Sequence, residues 1–159
     1  IITYPLFLHF LTLEFARARA QKLPLSLVLF DIQCQAGVSK ENLESLSRNF
    51  AAVAQPYELL AHNENFDSLQ YALLLPGRHP LSTQELLERL SASLNGDLPN
   101  LRFFFGIASA PADARDVDSL LTAATHAKRK AINLNQTIFS FGAAELSERS
   151  ATAGGGIPI

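Results

Sequence analysis

The sequence contains a single cysteine, Cys34, among 159 residues. One cysteine cannot close a disulfide within the chain, and no paired Cys/His spacing of the kind that holds zinc occurs. These absences predict a reducing, cytoplasmic location, which includes the cytoplasmic part of a membrane-anchored protein. We expect no cofactor.

The sequence also lacks a large excess of positive or negative charge, and it has no long apolar run. Lys and Arg number 13 against 15 Asp and Glu, which gives a formal net charge of -2. A chain without a basic excess lacks the field that a phosphate backbone attracts, so we expect no nucleic acid partner. The longest apolar stretch, residues 4–13, is about half of the roughly 20 residues that cross a bilayer, so this segment is expected to make no membrane contact. The sequence has no methionine, and we expect it to begin inside a longer protein.

What is present is the composition of one folded domain. Hydrophobic residues make up 48% of the chain and charged residues 18%, which favours a packed core over disorder. A single core is comfortably stable at this length. We predict one domain over residues 1–145, and a tail or linker over residues 146–159 with its run of three glycines.

Hydrophobic periodicity predicts an alternation of helices and strands. The opening helix has an apolar face, with Leu6, Phe10 and Leu13, wider than one core contact needs. The run LSLVLF is typical of a strand buried on both faces, and Asp31 ends it. The other predicted strands cover residues 57–61, 69–75, 101–109 and 137–141. The other predicted helices are one before Pro56, one opened by a Ser82 to Glu85 capping box, and one closed by the basic run at 128–130.

This order predicts an α+β fold. It contains a ferredoxin-like βαββαβ core, in which a central, mainly antiparallel five-stranded sheet is flanked by helices. A fold of this kind hosts many functions, so it names none by itself.

Five blocks in order resemble the GGDEF family, whose members have a diguanylate (nucleotidyl) cyclase-like fold. The blocks are ARARAQKLPLSLVLFDIQ, QPYELLA, YALLLPG, FFFGIASAPAD and LLTAATHAKRKAINLNQTIFSF, and the similarity runs over residues 6–141. The family joins two GTP molecules, a reaction that needs divalent cations held by at least two carboxylates.

The resemblance implies that two residues of the family site persist. Asp31 matches the first metal-binding aspartate, and Lys128 matches a lysine that contacts phosphate. Ile132 stands where the partner arginine of that lysine is expected. The segment between Asp31 and Leu43 is shorter than in the family and lacks the residues that bind guanine. We therefore treat Asp31 and Lys128 as vestigial candidates for metal and nucleotide binding.

The signature pentapeptide itself is replaced. Alignment on YALLLPG puts Asp67, Ser68, Leu69, Gln70 and Tyr71 where the GGDEF residues are expected. Leu69 replaces the metal-binding acid and Gln70 the neighbouring glutamate, while Asp67 and Ser68 replace the glycines that let backbone amides approach phosphate.

The inhibitory product site of the family is similarly altered. Its Arg-x-x-Asp sequence corresponds here to Gln55 and Glu58. Without the arginine fork that binds guanine or phosphate, the resemblance implies no cyclic di-GMP binding at this position.

The hypothesis is a degenerate GGDEF domain that lacks the signature acids and is not an enzyme. It would regulate or signal within a larger bacterial cyclic di-GMP-related protein through contacts with other protein domains, in cis or in trans, a homodimer through the N-terminal helix among them. One alternative is a receptor that binds GTP or cyclic di-GMP without turnover. Another is an active enzyme of altered specificity, with hairpin carboxylates of Glu64 and Asp67 beside Asp31.

Overall fold

The computed structural model describes residues 1–63 and 70–142, except for the side chain of Asn63. Within these ranges the elements, in chain order, are β1 (Ile2–Thr3), α1 (Tyr4–Gln21), β2 (Leu25–Gln33), α2 (Lys40–Val53), β3 (Leu59–Asn63), β4 (Gln70–Pro76), α3 (Pro80–Asp97), β5 (Arg102–Ala110), α4 (Val117–Asn133) and β6 (Ile138–Ser140). No helix among the described residues is long and apolar enough to cross a membrane.

The strands form one sheet in the order β1-β3-β4-β2-β5-β6. The three central pairs, β3 with β4, β4 with β2 and β2 with β5, are antiparallel, whereas the outer pairs β1 with β3 and β5 with β6 are parallel. The predicted α+β class and mainly antiparallel sheet are confirmed. The sheet has one strand more than the five predicted, because β1 has only two residues, too few to produce an alternating pattern.

Both faces of the sheet are covered by helices. Leu25, Leu27 and Leu29 of β2 pack with α1 and α4, and Val28 and Phe30 pack with α2 and α3. Alternate residues of a strand point to opposite faces. Because helices cover both faces of β2, it has no polar side and its sequence is a continuous apolar run.

Helix α4 lies unusually close to the sheet at Gly106. A Cβ added to Gly106 would be 2.1 Å from the backbone nitrogen of Lys128 and 2.7 Å from the carbonyl oxygen of Ala124. Only glycine permits this approach. The contact places the backbone of Lys128 directly against β5.

Several predicted boundaries were wrong. Strand β2 continues past Asp31 to Gln33, and α4 continues past the basic run at 128–130 to Asn133. Helix α3 begins earlier than its predicted capping box: His79 is the N-cap, its Nδ1 accepting a hydrogen bond from Ser82 N at 3.3 Å, and a proline follows in the first turn. Strand β3 begins later than residue 57, because Glu58 N donates to Gln55 O in a turn. The predicted tail, residues 146–159, lies outside the described residues.

Candidate functional site

Asp31 lies near the end of β2 between two neighbouring strands. Its register partners are Gln70 on β4 and Phe104 on β5. Directly opposed residues share a face of the sheet. Asp31 lies two residues after Leu29 and therefore on the same face, which is the one covered by α1 and α4. The strand therefore aims the Asp31 carboxylate at α4.

Lys128 of α4 meets that carboxylate. Its Nζ donates to Asp31 Oδ1 at 3.1 Å, and the side chains are 11% and 22% exposed, respectively. A basic residue near a helix C-terminus is expected on general grounds, but this one points into the protein instead of into solvent. The two residues that the family resemblance singled out are brought together as an ion pair.

Gln70, the replacement for the signature glutamate, stands beside Asp31 and is half-buried. It carries an amide, which cannot supply the negative charge that a divalent cation prefers. Among the described residues, no group of three His, Cys, Asp or Glu side chains could hold a metal ion. Asp67, Ser68 and Leu69, together with Glu64, lie outside the described residues.

Tyr71, the last residue of the replaced signature, points away from Asp31. It is buried on the opposite face of the sheet, where its ring stacks on Phe30 at 5.2 Å and on His62 at 4.8 Å between centroids. Burial raises the pKa of Tyr71 from 10.0 to about 12, because the phenolate would lose its hydration. Tyr71 is a core residue here.

The position of the family's inhibitory site holds a second buried ion pair. Glu58 accepts from Arg78 Nε at 2.5 Å and from Arg78 Nη2 at 3.0 Å, and its side chain has no exposed surface. The carboxylate also accepts from the backbone N–H of Gln55 at 2.6 Å. The bond to Glu58 and the Coulomb attraction of that carboxylate raise the pKa of Arg78.

Arg78 was missed by sequence reasoning. It follows Gly77, whose φ of +81° turns the chain after β4. The backbone of Arg78 is also held by the buried part of the sheet, since Ser26 Oγ donates to Arg78 O at 2.7 Å and lies 2.7 Å from Ser109 Oγ. A buried acid such as Glu58 needs a cation. The position of Arg78, the first arginine after the strand that closes the hairpin, could have indicated this partner.

Comparison with known proteins identifies the architecture. A scan against family models finds no match, and a search of curated proteins finds none. Solved structures do match. The GGDEF domain of YfiN (TpbB) from Pseudomonas aeruginosa superposes with a TM-score of 0.75 at 15% identity, over 88% of this chain and 90% of that one.

The chain has the fold of a GGDEF domain. Two larger proteins share it. The diguanylate cyclase SiaD from Pseudomonas aeruginosa, solved in complex with its activator SiaC, matches with a TM-score of 0.66 at 14% identity, over 86% of this chain and 56% of that one. LapD of Vibrio cholerae, an S helix-GGDEF-EAL chain bound to c-di-GMP, matches with a TM-score of 0.60 at 12% identity, over 87% of this chain and 35% of that one.

Proposed function

We propose that this chain is a member of the GGDEF family without cyclase activity, and that it acts as a regulatory domain in a bacterial protein of cyclic di-GMP signalling. The observation that carries the proposal is the contact between Lys128 and Asp31. In a cyclase of this family, the resemblance implies that the aspartate holds a divalent cation and the lysine holds phosphate. Here the lysine ammonium supplies the positive charge beside Asp31.

The neighbourhood of this pair supports the same reading. Gln70 offers Asp31 an amide in place of a second carboxylate, and two metal ions beside triphosphates need more than one acid. The Asp31 carboxylate is already paired with the Lys128 ammonium at 3.1 Å. A metal ion would have to displace that ammonium, and the amide of Gln70 would give it no second carboxylate ligand.

The position of the inhibitory site supports a domain that does not bind product there. Glu58 is fully buried and engaged by Arg78 and Gln55 N. A ligand arriving at this position would have to break an ion pair whose carboxylate cannot reach water, which costs several kcal/mol, on the order of 3–5.

Protein contacts are the proposed mode of action, and α1 offers a surface for them. Leu6 and Leu13 are 43% and 53% exposed and lie seven residues apart, two turns along one side of the helix. The partner would be another protein domain, in cis or in trans, and a second copy of α1 fits this apolar face. Contact with a separate protein has a parallel in SiaD with SiaC.

Incubation of the purified chain with GTP and Mg²⁺ or Mn²⁺, followed by chromatography for cyclic di-GMP, tests the catalytic part. We expect no product above a protein-free control. Product formation that disappears in Asp31→Ala would establish an active enzyme and end the proposal.

Sedimentation of the chain tests the α1 surface. If α1 joins two copies, Leu13→Glu shifts the molecule toward a monomer. The matched control is Leu81→Glu on α3, since Leu81 is also exposed, at 64%. An equal effect of both substitutions would mean that α1 is not the contact.

A receptor for GTP or cyclic di-GMP without turnover is the second candidate. It is favoured by the retained cation of Lys128, whose side chain is 11% exposed, and by the c-di-GMP-bound state of LapD. Calorimetric titration with each nucleotide separates the candidates: saturable heat that is lost in Lys128→Met favours the receptor, and no heat favours the domain that works through protein contacts.

A further inference from the structure

One candidate site away from Asp31 is a pocket of about 370 Å³ between the end of α1 and the connection from β5 to α4. Its floor is apolar and made of four buried residues, Phe15, Ala18, Ala110 and Ala114. Ala110 pairs with Leu25 at the start of β2, six residues from Asp31, or about 20 Å at the rise of a strand. The pocket is therefore separate from the site at Asp31.

The rim of the pocket is cationic. Arg19 and Lys22 come from the end of α1 and Arg115 from the opposite side, and all three are exposed. Within residues 1–63 and 70–142, none of the three is in an ion pair, and no carboxylate is part of the lining. Each of the lysine or arginine side chains alone is an ordinary surface charge, but here three of them face one apolar cavity.

The N-terminus of α4 does not account for this charge. Asp116 caps that helix, its Oδ1 accepting from Ser119 N at 2.7 Å, so the N-terminus of α4 already has a carboxylate of its own. The end of α1 contributes carbonyl groups, which repel anions. These carbonyl groups account in part for Arg19 and Lys22, since cations are favoured at a helix C-terminus. They do not account for Arg115, which lies on the opposite side of the pocket and is in no ion pair among the described residues.

We propose that this pocket binds a small amphipathic anion, with a carboxylate or phosphate head at the rim and a compact apolar body on the Phe15 floor. Guanidinium groups such as those of Arg19 and Arg115 match the planar or forked oxygens of carboxylate and phosphate. A volume of about 370 Å³ lies at the small end of ligand sites, which span roughly 300–1,000 Å³. The bound molecule would join the end of α1 to the sheet.

The fluorescent anion 8-anilinonaphthalene-1-sulfonate, which has an aromatic body and one anionic head, is the probe for the test. We expect saturable binding at one site, with shifts of the backbone amide resonances of Ala18, Ala110 and Ala114. Octanoate and phenyl phosphate serve as competitors for the two head groups, and neutral octanol serves as the uncharged control. Competition by either anion without competition by octanol supports the proposal, and the stronger competitor identifies the head group.

Variants locate the charge requirement. The double substitution Arg19→Gln with Arg115→Gln is expected to weaken probe binding roughly tenfold, from about 0.7 kcal/mol for each exposed charge pair. The matched control is Arg89→Gln, which removes an exposed arginine on α3 and is expected to leave binding unchanged.

Lys22→Gly gives a variant that keeps the fold. Lys22 has a φ of 56° at the end of α1, a left-handed conformation that glycine adopts without strain. We expect it to weaken binding about threefold, from the loss of one exposed charge. Equal competition by octanol, failure of both anions to compete, an equal loss in Arg89→Gln, or amide shifts elsewhere would each overturn the proposal.

Discussion

The ammonium of Lys128 and the carboxylate of Asp31 lie 3.1 Å apart, although 97 residues separate them in the chain. Two features produce this contact. Strand β2 directs Asp31 toward α4, and Gly106 allows α4 to approach until the backbone of Lys128 touches β5. The lysine then reaches the carboxylate along the sheet surface.

A double-mutant cycle measures how strongly the two charges interact. Both side chains are mostly buried but retain some contact with water, so we expect a coupling free energy of about 1 kcal/mol between Lys128→Met and Asp31→Asn. Denaturant unfolding of the four proteins gives this value. Arg129→Met, which removes an exposed charge from the next position, is expected to change the free energy of unfolding by less than about 0.5 kcal/mol.

Gly106→Ala is expected to destabilise the protein by about 3 kcal/mol or more. The new methyl group would lie 2.1 Å from a backbone nitrogen, so α4 would have to move off the sheet. Thermal unfolding measures the loss. Gly96→Ala is the control: Gly96 lies in α3 with nothing within 4 Å of its would-be Cβ, and alanine there is expected to stabilise the helix by about 0.5–1 kcal/mol.

Arg78→Met is expected to destabilise the protein by about 3–5 kcal/mol, because it leaves the fully buried carboxylate of Glu58 without its cation. Adding Glu58→Leu to Arg78→Met should restore most of this stability, since an apolar pair needs no desolvation of charge. Denaturant midpoints compare the three proteins. A double variant as unstable as the single one would show that the pair is not the source of the loss.

Tyr71 governs part of the stability at high pH. Its pKa is raised from 10.0 to about 12 in the folded protein, so the folded state holds the proton more tightly than the unfolded chain does. The contribution of this pKa difference to the free energy of unfolding is therefore complete below about pH 10 and is lost as the pH rises toward about 12. Tyr71→Phe should remove that part of the alkaline loss, as pH-dependent unfolding would show.

Tyr71→Phe should also stabilise the protein near neutral pH by about 1 kcal/mol. Among the described residues, the buried Tyr71 hydroxyl has no hydrogen-bond partner, and removing an unsatisfied polar group recovers its desolvation cost. Tyr57→Phe serves as the control, since Tyr57 is 60% exposed. A destabilised Tyr71→Phe protein would mean that the hydroxyl does have a partner.

Much of the fold could be predicted because it depends on local patterns. The apolar run that ends at Asp31 is long enough to mark a buried strand, and the periodic leucines of α3 mark a helix. Strand β1, with two residues, carries no such pattern. The N-cap His79 was missed because Ser82 offered a more familiar capping sequence, whereas the proline after His79 begins the helix earlier.

The sequence predicted individual residues of the site, but it did not predict which residues contact each other. Asp31 directly follows an apolar run and Lys128 falls in a recognisable block, but their contact depends on how closely α4 approaches Gly106. The Arg78 partner of Glu58 depends on where the turn after β4 places a side chain in space. Pairing across a fold is set by tertiary packing, which sequence spacing does not encode.

The central claim is that Lys128, and not a metal ion, neutralises Asp31 when GTP is present. The most direct measurement is paramagnetic broadening of backbone amide resonances by Mn²⁺ in the presence of GTP. We expect no selective broadening at Asp31, Gln70 and Lys128. Selective, saturable broadening at these three amides, with GTP required for it, would contradict the claim.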